Sequence, residues 1–324
     1  MGSNPPGLTW TLIQEARARI APHVNLTPVL TSTTLDEESG ARLYFKCENF
    51  QKGGAFKARG ATNAVLSLGA AEAAHGVATH SSGNHAAALA RAARLKGIPA
   101  YVVMPDNTAA PKRAAVARYG AAITLCEPTQ AARERSVAEV IARTGATMIH
   151  PYDDLRVMAG QATIGAELIE QVPELDMLLC PVSGGGLLSG IAVAARQLRP
   201  RLRIIGVEPE GADDAARSLR AGRIVPCERP QTIADGLRAT VGERPFAEIR
   251  RYVETIVTVP DAAIVAAMRH LWEVLKIVVE PSGATAYAAV MAGRVEVHGA
   301  RVGVIVSGGN LDLDALPWIK RAPG

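Results

Sequence analysis

From residue 76 onward the chain alternates short aliphatic runs with alanine-rich segments of helical length. "GVATHSS" leads into "GNHAAALARAARLKG", "PAYVVMP" into "PKRAAVARYGA", and "AITLCEP" into "TQAARERSVAEVIARTG". "MLLCPVSGGG" then leads into "LLSGIAVAARQLRP", and "RIIGVEPEG" follows. Strand and helix alternating at this spacing build βαβ units around a parallel sheet. The strand-like runs are apolar throughout rather than alternating, as strands covered on both faces must be. The pattern predicts the α/β class. At 324 residues there is enough chain for two such domains. No repeat, low-complexity tract or Pro/Ser-rich linker separates two halves, so a second domain is expected to be inserted or to share crossovers.

Composition excludes several function classes. The formal net charge of +4 is small for this length, and Lys and Arg are dispersed rather than interleaved with aromatics, which argues against nucleic-acid binding. Four cysteines (Cys47, Cys126, Cys180, Cys227) are scattered without a C-x-x-C pair, which fits a reducing cytosol and neither a disulfide framework nor a zinc site. "MGSNPPGLTW" lacks the basic start and apolar core of a signal peptide, and Pro6 stands at the Ser/Thr position of a myristoylation signal. The longest apolar stretch is interrupted by three glycines, so no membrane span is predicted. A cytoplasmic protein without a membrane or nucleic-acid partner is expected.

In doubly wound sheets small ligands collect at strand-to-helix turns, and several turns here are specialised. "SGGGLLSG" exposes backbone N–H groups at a helix start, an anion site, or else a tight turn packed closely. It is neither G-x-G-x-x-G nor a P-loop. "SSGNH" brings hydroxyls, an amide and an imidazole to another helix start; its serines would serve equally as simple caps or as carboxylate donors. "VEPEGADD" groups Glu208, Asp213 and Asp214, either a solvated acidic loop or oxygen ligands for a hard cation. His80, His85 and His150 lack metal-ligand spacing. In "ENFQKGGAFKARGATNAV", Lys57 follows Phe56 in a glycine-rich approach. A lysine must be desolvated to act as a nucleophile at neutral pH, and this apolar setting supplies that. An anion cradle, carboxylate donors and a desolvated amine together fit pyridoxal phosphate better than a nicotinamide or a nucleotide.

The chain resembles the fold-type II pyridoxal-phosphate enzymes, in particular the serine racemase and catabolic serine/threonine dehydratase group. The likeness runs from about residue 10 to 315 and rests on "KCENFQKGGAFKARGA", "THSSGNHAAALA", "PVSGGGLLSGIA", "GVEPEGADDA", "TIADGL", "EPSGA" and "VIVSGGNLDL" in this order. It implies a tryptophan synthase β-like fold of two doubly wound parallel-sheet domains. The expected division is a cofactor-binding domain of residues 1–70 and 153–324 and a substrate-binding domain of residues 71–152. A homodimer is implied as well.

Carried over by position, the resemblance makes Lys57 the Schiff-base lysine and the base on one face of the substrate Cα. Phe56 would pack against the pyridine ring with Gly236 opposite. Asn84 would meet the ring hydroxyl, Ser183, Gly184, Gly185, Gly186 and Leu187 the phosphate, and Ser307 the pyridine nitrogen. A serine at that nitrogen leaves it largely unprotonated, which favours prompt loss of a β-substituent. Ser81, Ser82, Asn84 and His85 would hold the substrate carboxylate, with Ser82 matching the racemase's second acid/base and Arg133 lying near the substrate side chain. Glu208, Asp214 and the carbonyl of Ala212 would bind Mg²⁺, Ca²⁺ or Mn²⁺. Two positions depart from the racemase: Ala239 removes a hydroxyl from the side-chain pocket, and Ser183 replaces glycine, adding a donor to the phosphate loop. The C-terminal regulatory domain of biosynthetic threonine dehydratases is not expected. The activity implied is ammonia-lyase action on a β-hydroxy amino acid, L-threonine or L-serine by default. The alternatives are a serine racemase, a dehydratase of threo-3-hydroxyaspartate or of a hydroxyectoine-derived substrate, a non-catalytic amino-acid or cofactor sensor, and a nucleotide-binding enzyme.

Overall fold

The computed structural model describes residues 7–81 and 83–319. The strands are β1 (Val29–Leu30), β2 (Arg42–Cys47), β3 (Val77–His80), β4 (Ala100–Pro105), β5 (Ala122–Cys126), β6 (Thr147–Met148), β7 (Met177–Pro181), β8 (Arg203–Pro209), β9 (Thr255–Val259) and β10 (Arg301–Val306). They form a six-stranded sheet in the order β1-β2-β10-β7-β8-β9 and a four-stranded sheet in the order β5-β4-β3-β6. The parallel α/β fold read from the sequence is what forms. The four-stranded sheet is built from chain lying between β2 and β7.

One strand departs from the parallel pattern. β1 runs antiparallel to β2, with Val29 opposite Lys46. The helix Thr33–Ser39 ends on Gly40 at φ 64, and this left-handed cap turns the chain back along the sheet edge. Pro28 precedes β1, and a two-residue strand beside proline suits an edge, where ladder bonds are dispensable.

Successive residues of one strand enter opposite cores. Met177 and Leu179 of β7 pack with the helices Asp261–Leu275 and Pro281–Met291. Leu178 and Cys180 pack on the other face with Ile164, Leu168, Leu188 and Ile191 of the helices Leu155–Gln171 and Gly186–Leu198. Both faces need apolar side chains, so the run reads as continuous.

Below the helix Lys57–Leu66 lies a buried charge network. Arg59, fully buried, donates from Nε to Glu48 Oε2 at 2.8 Å and from Nη1 to Glu167 Oε1 at 2.6 Å. Lys46 Nζ donates to Glu167 Oε2 at 2.8 Å and to the Thr27 carbonyl at 2.9 Å. Two cations face two carboxylates, so no net charge is left in the interior. Removing one partner of such a set strands the other and costs about 3–5 kcal/mol. The network fixes the first turn of this helix, and Lys57 is its first residue.

Candidate active site

The carboxyl ends of β3, β7 and β10 and the start of the helix Lys57–Leu66 converge on a cleft of about 200 Å³. Ser81, Pro181 and Ser307, the residues at those strand ends, all line it. Parallel strands deliver their turns to one edge of the sheet, which is why motifs far apart in sequence meet there.

Lys57 enters at the base of this cleft. The Phe56 N–H donates to the Ser307 carbonyl at 3.0 Å, holding the turn against the end of β10. Lys57 Nζ stands 5.0 Å from the Phe56 ring centroid and donates to the Pro151 carbonyl at 2.8 Å. No carboxylate pairs with it among the described residues. Burial is the cause that lowers its pKa, to about 8. Lys57 is therefore a desolvated amine, neutral in about a tenth of molecules at pH 7, and not a solvated surface charge.

Residues 183–187 wrap the amino end of the helix Gly186–Leu198. A Cβ added at Gly184 would lie 2.4 Å from the Tyr152 ring, and one at Gly186 would lie 2.9 Å from the Tyr152 carbonyl. Gly185 takes φ 88, which side chains avoid. Among the described residues, the backbone N–H groups of 183–187 find no partner in the protein. Such a run of free donors at a helix start is an anion cradle. The hydroxyl of Ser183 does not join it: Oγ accepts from the Ala239 N–H at 2.9 Å and donates to the Ala239 carbonyl at 3.0 Å. What Ser183 offers the cleft is its backbone N–H.

Asn84 and Gly236 face the same cleft. Gly236 N–H donates to Ser282 Oγ at 3.0 Å, and Ser307 Oγ donates to the Ser282 carbonyl at 3.4 Å. Asn84 Nδ2 donates to Glu280 Oε1 at 2.8 Å. Glu280 had no role in the sequence reading, although it stands in "EPSGA". It occupies the N-cap position of the helix Pro281–Met291 yet makes no side-chain cap. A long acid where Ser, Thr or Asp is usual was the available signal. Burial first, then Asp235, pushes its carboxyl up to about 8. Lys112 and Asp235, which line the cleft mouth and contact one another, were also missed, as was Tyr152.

Ser82 lies outside the described residues. Ser81 Oγ accepts from the Gly83 N–H at 3.4 Å, and its hydroxyl donates to no acceptor among the described residues. Both ring nitrogens of His85 are buried without a partner among the described residues, and so is Arg133 Nε. Burial, then the nearby Lys57, holds the His85 imidazole well below the usual range, so it is neutral. His150 Nδ1 accepts from the Asp153 N–H at 2.9 Å, and burial lowers its pKa to about 4. Buried polar atoms facing a cleft without partners are positions that a ligand satisfies.

The acidic loop after β8 lies apart from this cleft lining. Glu208 is fully buried and accepts from the N–H groups of Ala215 and Ala216 at 3.1 and 2.8 Å. Asp214 Oδ2 accepts from the Val241 N–H at 2.8 Å. Burial raises both carboxyls, Asp214 to about 6, and the Asp214 charge pushes Glu208 further in the same direction. Asp213 instead pairs with Arg217 at 2.7 Å. Among the described residues no group of three or more His, Cys, Asp or Glu side chains is arranged for a metal; the set expected here has two carboxylates and a backbone carbonyl.

Pyridoxal phosphate fits these residues: the desolvated Lys57 amine, the glycine cradle closed by Tyr152, and the unpartnered donors converge. A family profile described as pyridoxal-phosphate dependent enzyme matches residues 20–308. The chain is 51% identical over 310 residues to the β-hydroxyaspartate dehydratase of Paracoccus denitrificans (strain Pd 1222), covering 96% of this chain and 98% of that one. It is 49% identical to the serine racemase of Arabidopsis thaliana over 309 residues, 94% of this chain and 93% of the other. The solved structure of maize serine racemase superimposes with a TM-score of 0.93 at 46% identity, covering 95% of both chains.

Proposed function

The chain belongs to the pyridoxal-phosphate-dependent enzymes, and from that premise we propose that it is an ammonia-lyase for a β-hydroxy amino acid bearing a second carboxylate, of the 3-hydroxyaspartate class. The observation that carries the acidic side chain is Arg133, whose Nε is buried in the cleft without a partner among the described residues. A guanidinium held ready in this way suits a carboxylate better than the methyl of threonine. The β-hydroxyaspartate dehydratase at 51% identity supports the same reading. Ala239 lines the same cleft and offers no hydroxyl to compete for a substrate oxygen.

Residues 183–187 would hold the cofactor phosphate, Asn84 the ring hydroxyl and Ser307 the ring nitrogen, with Phe56 and Gly236 on the two ring faces. Bound there, pyridoxal phosphate supplies an electron-accepting ring for the charge left at Cα. Lys57 would hold the cofactor through its amine and, when not so engaged, would accept the Cα proton. An amine with a pKa of about 8 suits that exchange near neutral pH. Departure of the β-hydroxyl as water consumes one proton, and Lys57 then carries the one it has just accepted. Ser81, Ser82 and His85 orient the α-carboxylate, the neutral His85 as a donor through one ring nitrogen. Glu208, Asp214 and the Ala212 carbonyl would take a hard divalent cation, Mg²⁺, Ca²⁺ or Mn²⁺, because two neighbouring buried carboxylates gain most from a shared positive charge.

The test is a chiral product assay with the purified protein, pyridoxal phosphate and Mg²⁺ on L-threo-3-hydroxyaspartate, L-serine and L-threonine. The expected result is oxaloacetate and ammonia, with kcat/KM for hydroxyaspartate at least about tenfold above the others, a difference of roughly 1.4 kcal/mol. Arg133→Ala should erase that preference, and Lys57→Ala should abolish turnover. Dominant D-serine from L-serine would make the protein a racemase instead.

A further inference from the structure

The orientation of the Asn84 amide is decided at a backbone carbonyl in another turn. Gly53 and Gly54 take φ 71 and 75, and this turn aims the Gly53 carbonyl at Asn310, whose Nδ2 donates to it at 2.6 Å. A carbonyl oxygen accepts and never donates, so the contact fixes which end of the Asn310 amide carries the hydrogens. The same Nδ2 donates to Asn84 Oδ1 at 2.9 Å. Asn84 is thereby fixed in turn, and its Nδ2 donates to Glu280 Oε1 at 2.8 Å. With Oδ1 turned to Asn310 and one Nδ2 hydrogen engaged by Glu280, one N–H of Asn84 remains to donate to a ligand in the cleft.

We infer that Glu280 is a positioning residue: together with Asn310 it holds the Asn84 amide so that a donor, never an acceptor, faces the ring oxygen of the bound cofactor. This rests on the reading that the cleft takes pyridoxal phosphate. A donor at that oxygen favours its ionised form. Glu280 acts from a tight site. It is 3% exposed, its own N–H donates to the Gly308 carbonyl at 3.1 Å, and a Cβ at Gly308 would sit 2.2 Å from its Oε1. The charged groups that face it are Asp235, which raises its pKa, and Lys112, which lowers it, while the Asn84 amide and the Asn310 N–H also favour ionisation. Burial outweighs the last three and leaves the carboxyl at about 8. At neutral pH Glu280 therefore accepts from Asn84 through its carbonyl oxygen without placing a full negative charge beside the ring oxygen.

The experiment compares wild type, Glu280→Gln, Glu280→Met and Asn310→Ala by titration with pyridoxal phosphate. It follows the dissociation constant and the visible absorbance band from pH 6 to 9.5, and no turnover is needed. Gln keeps an accepting carbonyl, so Glu280→Gln should bind within about threefold of wild type with the same band at neutral pH. Wild type should show a change in the band with a midpoint near 8, and Glu280→Gln should lose it. Glu280→Met and Asn310→Ala free the Asn84 amide to turn, and each should weaken binding about tenfold, the scale of one directed hydrogen bond. Each should also shift the band to shorter wavelength as the ring oxygen takes a proton. If Glu280→Met does not fold, Asn310→Ala carries the test. Variants that bind as wild type does with unmoved bands, or that lose thermal stability without any spectral change, overturn the role of Glu280. A wild-type protein that binds no pyridoxal phosphate overturns the cofactor reading itself, and this inference with it.

Discussion

An added Cβ at Gly184 would lie 2.4 Å from the Tyr152 ring, so Gly184→Ala must either push the ring aside or bend the loop out of its donor-presenting shape. Tyr152 is boxed in by His150, with ring centroids 4.5 Å apart, which makes the second response the cheaper one. Overpacking of this kind costs about 1–3 kcal/mol. The prediction is a loss of pyridoxal phosphate affinity of tenfold or more, read by absorbance titration, with a smaller drop in melting temperature. At this scale the sequence was informative where chemistry and chain continuity coincide. Lys57 beside Phe56, and the glycine run after an apolar strand, declare themselves locally. Glu280 and Tyr152 do not, because what they do depends on Asn84 and Gly184, which are far away in sequence. The Ser183 hydroxyl shows the same limit: its type suggested a donor to a ligand, but only the approach of Ala239 reveals that the proton is already committed.

Elements were legible to the extent that burial imposes a pattern on them. β7 carries apolar side chains into two cores, and no polar alternation was available to disguise it. β1 and β6, two residues each, leave no period to read, and the antiparallel sense of β1 is set by the cap at Gly40 rather than by its own residues. The loop between β8 and the helix Asp214–Ala221 was legible as an acidic cluster but not as a sorted one. The structure sends Asp213 outward to Arg217 and turns Glu208 and Asp214 inward. This sorting carries a prediction for the proposed cation. In its absence the folded protein keeps protons on Glu208 and Asp214 that the unfolded chain has lost, so the stability of the metal-free protein falls as pH rises through about 6. Mg²⁺ competes with those protons. At pH 7.5 it should raise the melting temperature by about 2–4 °C, the response to roughly 1 kcal/mol of linkage. The gain should shrink below pH 6 and vanish in Glu208→Gln. An equal gain in that variant would place the cation elsewhere.

Across the whole molecule, two polar ties link the helices of the four-stranded sheet to the loops of the six-stranded one over the cleft. The deep tie is Asn84 to Glu280 and Asn310, shielded from solvent at Glu280. The rim tie is Lys112, in the first turn of the helix Ala110–Ala117, to Asp235, with side chains 27% and 41% exposed. Their environments set different strengths. An exposed ion pair contributes about 0–1 kcal/mol and is screened at physiological salt, whereas a buried bond to a carboxyl is neither screened nor cheaply broken. The rim should therefore open while the deep contact holds, admitting substrate without releasing the cofactor. Asp235→Asn and Lys112→Met each remove the rim tie, but only the second also removes a cation from the cleft. If the pair acts as the closure, both variants should raise KM by a similar factor of up to about fivefold, the ceiling for such a pair. The dissociation constant for pyridoxal phosphate and the melting temperature should stay near wild type. Raising salt should narrow the gap between wild type and either variant, because salt screens in the wild type what the substitutions delete. Opposite effects of the two variants on KM would instead identify Lys112 as a direct partner of the substrate and Asp235 as its competitor.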